Sequence, residues 1–148
     1  TRVHALELGV GTSSSNSGRL VPGLSATASI GPIALTGTST GTRTSVYYLS
    51  SYTFGAVKRF EGGRFWWGDL QLGFGLGVAY SQYGYRSSPQ GEHDVKRDFT
   101  GGPLFQFRWA FLDPVYLGMD ALFGLRYPQG LLALALQDVI MLSVGVGL

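Results

Sequence analysis

Three features of this 148-residue chain predict an all-β fold, an eight-stranded antiparallel up-and-down transmembrane β-barrel in a single domain over residues 1–148: long two-residue alternation, scarce charge, and many glycines and aromatics. The alternation is clearest from Asp69 to Tyr85. Leu70, Leu72, Phe74, Leu76, Val78 and Tyr80 share one parity; Asp69, Gln71, Gly73, Gly75, Gly77, Ala79 and Ser81 share the other. Successive side chains of a strand point to opposite faces, so this segment has one greasy face and one small or polar face. It is also long enough to cross a bilayer, which a tilted strand does in about 9–11 residues. Charged residues are 14% of the chain, against about 25% in ordinary soluble domains. There are 23 glycines, and Phe, Trp and Tyr together make 14%, a composition that suits a barrel wall with aromatic girdles.

The remaining elements follow in order. Arg2 to Thr12 alternates with His4, Leu6, Leu8 and Val10 opposite Ala5, Glu7, Gly9 and Gly11, and Ser13 to Gly18 reads as a loop. Leu20 to Ile30 sets Leu24, Ala26, Ala28 and Ile30 against Gly23, Ser25, Thr27 and Ser29; Gly31-Pro32 reverses the chain into a Thr-rich strand from Ile33 to Gly41. After a short loop at Thr42–Ser45 comes Val46 to Val57, with Tyr48, Tyr52 and Phe54 on one side. Lys58 to Arg64, KRFEGGR, reads as a turn, and Phe65-Trp66-Trp67 opens the strand described above. Arg86 to Asp98 is the longest polar stretch and reads as a loop. Phe99 to Leu112, Val115 to Arg126 and Leu131 to Leu148 complete the eight, separated by Asp113-Pro114 and Tyr127–Gly130.

Two aromatic belts are expected. Phe54, Phe60, Phe65, Trp66, Trp67, Trp109, Phe111 and Tyr116 gather near the short turns, and Tyr47, Tyr48, Tyr83, Tyr85, Phe99 and Tyr127 near the longer loops. Parity does not distinguish inside from outside, so a soluble barrel with a greasy lumen competes with this reading; the belts and the scarce charge put lipid outside. A second competitor is a transmembrane helix over Gly130 to Leu148. Asp138 near its centre would cost about 2.5–3.5 kcal/mol, and the tail from Ser143 alternates as a strand does.

With alternating strands, tight turns, girdles and a last strand carrying Ile140, Leu142, Val144, Val146 and Leu148 on one parity, the chain resembles the small bacterial outer-membrane β-barrels, the class typified by the outer-membrane protein A transmembrane domain and outer-membrane protein X. The resemblance is one of pattern over the whole chain. It implies an outer-membrane location after removal of a signal peptide, since Thr1-Arg2-Val3 already reads as strand. It departs at Leu148, where such chains usually end in Phe or Trp; either the insertion signal is imperfect or the chain continues.

Candidate functional residues fall into three groups. Inward parity brings Glu7, Asp69, Gln71, Gln106, Arg108, Asp120 and Arg126 into the lumen, where buried charges must be paired. The bland outcome is a plugging ion-pair network; the sharper one is a permeation path or a bound polar ligand, and a separate alternative is binding or transport of a lipid or small hydrophobic molecule through the Gly-lined lumen with lateral access near Asp138. The loop residues Arg86, Glu92, His93, Asp94, Lys96 and Arg97 offer a mixed-charge surface for lipopolysaccharide, a host surface or an envelope protein partner. Gln137 and Asp138 mark a possible lateral or partner site, because strict alternation turns Asp138 to lipid unless a bulge between Leu136 and Ile140 resets the register.

Other chemistry is poorly supplied. With two histidines, a Ser/His/acid centre would rest on His93 in a loop without rigid support, so no catalytic residue is expected. Glu92, His93 and Asp94 are adjacent and do not converge on a metal; no cofactor is implied. Cysteine is absent, and Lys and Arg form no cluster suited to nucleic acid.

Overall fold

The computed structural model describes residues 6–14, 20–43, 47–86, 93–128 and 135–148. They form eight strands: β1 (Leu6–Ser14), β2 (Leu20–Ile30), β3 (Ile33–Arg43), β4 (Tyr47–Phe65), β5 (Gly68–Arg86), β6 (His93–Leu112), β7 (Val115–Pro128) and β8 (Ala135–Gly147). Every neighbouring pair is antiparallel, and β8 closes on β1. The expected fold class is therefore the observed one. Residues 135–147 are strand, which removes the helical reading of that segment, and no helix among the described residues is long and apolar enough to cross a membrane.

Register fixes the shape. Hydrogen-bonded partners can be followed once round the wall from Val146 through Leu8, Ala26, Gly37, Phe54, Val78, Gly101 and Leu125 to Leu136, ten residues further along β8. An eight-stranded wall with such a stagger tilts its strands by about 35–45° and leaves an interior just wide enough for side chains to fill. Alternation then sorts the residues. Leu8, Val10, Leu24, Leu35, Phe54, Phe74, Leu76, Val78, Leu142 and Val144 are exposed on the outer face, whereas Glu7, Thr27, Thr36, Leu104, Gln106, Arg108 and Asp120 are buried inside.

The connection between β4 and β5 differs from the sequence reading. Lys58 to Arg64 is strand, and the turn is Trp66-Trp67. The two glycines of KRFEGGR serve a bulge between Glu61 and Gly63, where Gly63 takes φ +81°. Trp66 itself has φ 54°, a left-handed conformation that costs a non-glycine residue about 1–2 kcal/mol. Its ring stacks on Phe65 at 5.1 Å and meets Trp67 and Trp109 edge-on, while Trp109 Nε1 donates to the Phe65 carbonyl at 3.1 Å. Aromatic pairs contribute about 0.5–1.5 kcal/mol each, enough to offset the strain. Gly68 is required beside this cluster: a Cβ there would lie 2.5 Å from Trp109 Nε1 and 2.6 Å from the Ala110 carbonyl oxygen.

Other boundaries move less. β3 continues through Arg43, and β6 begins at His93, so most of the expected loop from Arg86 to Asp98 is paired backbone. The turns at Gly31-Pro32 and Asp113-Pro114 stand as expected. Of the short-turn belt, Phe60, Phe65, Trp66 and Trp67 are exposed at that rim. Phe54 sits in mid-wall opposite Gly37 and Val78, and Tyr116 is buried in the lumen; neither belongs to the belt.

Candidate functional site

The lumen near the short turns holds a closed polar ring. Arg59, on the inward parity of β4, reaches across to β1: its Nη1 donates to Glu7 Oε1 at 3.1 Å, and its Nη2 forms an ion pair with Glu7 Oε2. Arg59 Nε and Nη2 also donate to Gln106 Oε1 at 2.9 and 2.8 Å, and Nη1 lies 3.5 Å from Gln71 Oε1. Gln106 Nε2 passes the chain on to Asp120 Oδ1 at 2.9 Å. Asp120 accepts from Arg108 Nη2 at 3.2 Å, and Arg108 Nε returns to within 3.8 Å of Glu7 Oε2. Two guanidinium groups and two carboxylates thus balance inside the wall. Arg108 lies over the Tyr116 ring at 5.3 Å and seats itself where Gly118 has no side chain, a Cβ there being 2.9 Å from Nη1.

Above this ring the lumen is apolar. Ala34, Val57, Ala79, Leu104, Leu122 and Val139 form one buried cluster. Leu104 and Leu122 lie along the inner wall from β6 and β7 toward β5 and β4, where a Cβ on Gly77 would stand 3.3 Å from each of them and one on Gly55 would collide with Leu104. Val57 similarly comes within 3.0 Å of the Cβ position of Gly73. Inward glycines are thus seats for large side chains from neighbouring strands, so the small-residue wall is covered at this level. The sharper lumen reading, a Gly-lined path, meets a filled interior at this level.

Higher still, toward the loop end, hydroxyls dominate: Thr38, Thr40, Thr53 and Thr100 are buried with Asp98, and Ser51 and Ser81 bond to each other at 3.0 Å.

Of the expected lumen network, Glu7, Gln71, Gln106, Arg108 and Asp120 are brought together. Asp69 is exposed beside the β4–β5 turn and takes no part; its parity is right, but it lies past the end of the covered lumen. Arg126 pairs with Thr100 and Ala135, six residues along β7 from Asp120, or about 20 Å at strand rise. Its backbone is at the loop end of the wall, away from the ring. Arg59 is the member that the sequence reading missed. Extending the inward parity of Thr53, Gly55 and Val57 by one more step reaches it; the glycine pair that follows hid the continuation.

The loop group is largely strand. Arg86 pairs with His93, Asp94 with Tyr85, Lys96 with Tyr83 and Arg97 with Gln82, so these residues ride on the upper β5–β6 hairpin; Arg97 is exposed, and Glu92 lies outside the described residues. Gln137 and Asp138 pair with Gly124 and Phe123 in an unbroken register from Ala135 to Val146. The bulge that could have turned Asp138 inward is not there, and its side chain lies outside the described residues.

No protein-family model and no curated protein sequence matches the chain. Solved structures do. Neisserial surface protein A is similar over 97% of this chain and 94% of its own, at 16% identity and a TM-score of 0.58. The N-terminal β-barrel domain of Pseudomonas aeruginosa OprF is similar over 95% and 96%, at 11% identity and a TM-score of 0.63. Ail, the attachment invasion locus protein of Yersinia pestis, solved with the heparin analogue sucrose octasulfate, is similar over 95% of both chains, at 15% identity and a TM-score of 0.53. The closed eight-stranded wall and its stagger give this chain the fold of the small eight-stranded outer-membrane β-barrels.

Proposed function

We propose that the chain is an integral outer-membrane barrel with a structural or interaction role, its lumen plugged and its upper β5–β6 hairpin turned to the surroundings. The observation that carries this reading is the pairing of an apolar exterior with a packed interior: exposed Leu8, Leu24, Phe74, Leu76 and Leu142 outside, and Leu104, Leu122 and the charge-balanced ring inside. Such a wall anchors in lipid and conducts nothing of size. Arg86, His93, Asp94, Lys96 and Arg97 lie together on the upper β5–β6 hairpin, a charge mix suited to lipopolysaccharide phosphates or to a protein of the envelope. The barrel class supports the reading, and the complex of Ail with a sulfated saccharide analogue is an instance of anionic recognition on such a fold.

Folding into detergent micelles followed by a cold denaturing gel tests the anchor. A compact band that shifts only on boiling, with a β-type circular dichroism spectrum, is expected; a chain that is monomeric and folded without detergent overturns the membrane reading. For the interaction role, vesicles bearing lipopolysaccharide are expected to retain less of an R86Q/K96Q/R97Q variant than of the parent. Equal retention overturns lipopolysaccharide as the partner.

A further inference from the structure

Two cross-strand rows on the outer wall enclose a groove. Thr12, Leu142, Met119 and Phe107 are register partners from β1 through β8 and β7 to β6, and Val10, Val144 and Leu117 form the row beside them. The space between the rows is about 580 Å³, and its floor is backbone at Gly11, Gly118 and Ser143, where no outward side chain fills it. Val10, Leu117, Leu142 and Val144 are exposed, so the groove opens outward and not into the lumen.

We propose that this groove seats one hydrocarbon chain of a membrane lipid, held more firmly than the chains around the rest of the wall. The inference rests on the membrane reading above. Three observations select the occupant. The lining contains no charged group; Thr12 brings its outward hydroxyl, and Ser143 contributes backbone with its side chain turned to the lumen, so a headgroup has little to bind there. The groove is one row wide and crosses three strand-to-strand steps, about 14 Å, which suits an unbranched chain. The wall of a second barrel is convex and would touch the two rows without entering between them. Because the groove runs across strands that tilt by about 35–45°, a chain seated in it lies oblique to its neighbours in the bilayer, and it gains contact with backbone that those neighbours do not touch.

Native mass spectrometry of the barrel, purified in detergent after reconstitution into vesicles of palmitoyl-oleoyl phosphatidylethanolamine, tests the seat. Leu117→Trp and Val144→Trp fill the groove from exposed positions, and Leu76→Trp places the same bulk on the distant β5 wall. The expected result is a single retained phospholipid on the parent and on L76W, reduced by about tenfold on L117W and V144W, the loss expected when roughly two methylene groups lose their seat. Equal retention on all four proteins, or none on the parent, overturns the proposal. So does a dimer mass that V144W abolishes, which would assign the groove to a second copy. All four proteins are first checked for the boiling-dependent gel shift. A parent that lacks the shift and folds without detergent brings down the membrane reading as well, whereas a parent that shifts but retains no lipid brings down the seat alone.

Discussion

The lower and middle levels of the same lumen are held together by opposite means. Below, Glu7, Arg59, Gln106, Asp120 and Arg108 are joined by directed bonds between charges that water cannot reach freely. Above, Leu104, Leu122 and Val57 are joined to Gly55, Gly77 and Gly73 by volume alone. A ring of charges tolerates loss of a whole pair far better than loss of one member, because the survivor is left buried and uncompensated. A volume-matched layer responds to each atom added or removed and is indifferent to partners.

The largest effect is expected where this contrast is broken on the polar side. Arg108→Met should destabilise the barrel by about 3–5 kcal/mol, since Asp120 and Glu7 lose their shared cation. Urea unfolding in lipid vesicles measures this, and the double variant R108M/D120L should recover a large part of the loss. Failure to recover would mean that the ring is held by something other than charge balance. Leu104→Ala comes next at about 2–5 kcal/mol by the same assay, with no rescue by changing a neighbour's charge. Opening the plug in this way should also raise single-channel conductance in planar bilayers, and an L104A barrel that stays closed to ions would locate the barrier elsewhere. Gly77→Ala sharpens the comparison from the other side. Its new Cβ meets the Phe54 carbonyl oxygen at 3.1 Å and Leu104 and Leu122 at 3.3 Å, contacts that must give by a few tenths of an ångström, so a cost of about 1–3 kcal/mol is expected. Smallest is Asp69→Asn, within about 0.5 kcal/mol, because Asp69 is exposed outside the ring; a loss comparable to R108M would return it to the network.

The legibility of the two levels follows the same division. Alternation from Asp69 to Tyr85 separates the two faces of the wall, because burial on one side forbids a one-residue slip, and the aromatic belts with the scarce charge assign lipid to the greasy face. It also collected Glu7, Gln106, Arg108 and Asp120 without any knowledge of who meets whom. What it could not supply was where a strand ends. KRFEGGR has the composition of a turn and is strand, while Trp66-Trp67 has the composition of a strand and is a turn, since a bulge at Gly63, stacking of Trp66 on Phe65 and its edge-on contact with Trp109 decide the matter. Arg59 was lost with that boundary and Asp69 wrongly gained. The seating of Leu104 on Gly55 joins β6 to β4, two strands apart round the wall, and no pattern along one strand encodes it.

Closure of the wall has a kinetic side. Seven of the eight strand pairs join sequence neighbours and can form as hairpins, but β1 meets β8 through partners such as Glu7 and Gly147, at nearly the full length of the chain. That seam must bear most of the loop-closure entropy, and until it forms both edge strands offer unpaired backbone to any other chain nearby. Once Leu6 and Leu148 have exchanged their two backbone bonds, the seam is paired from there to Ser14 and Ile140. The molecule therefore assembles by zipping but is committed by a single clasp, and its most vulnerable interval lies between the last hairpin and that clasp.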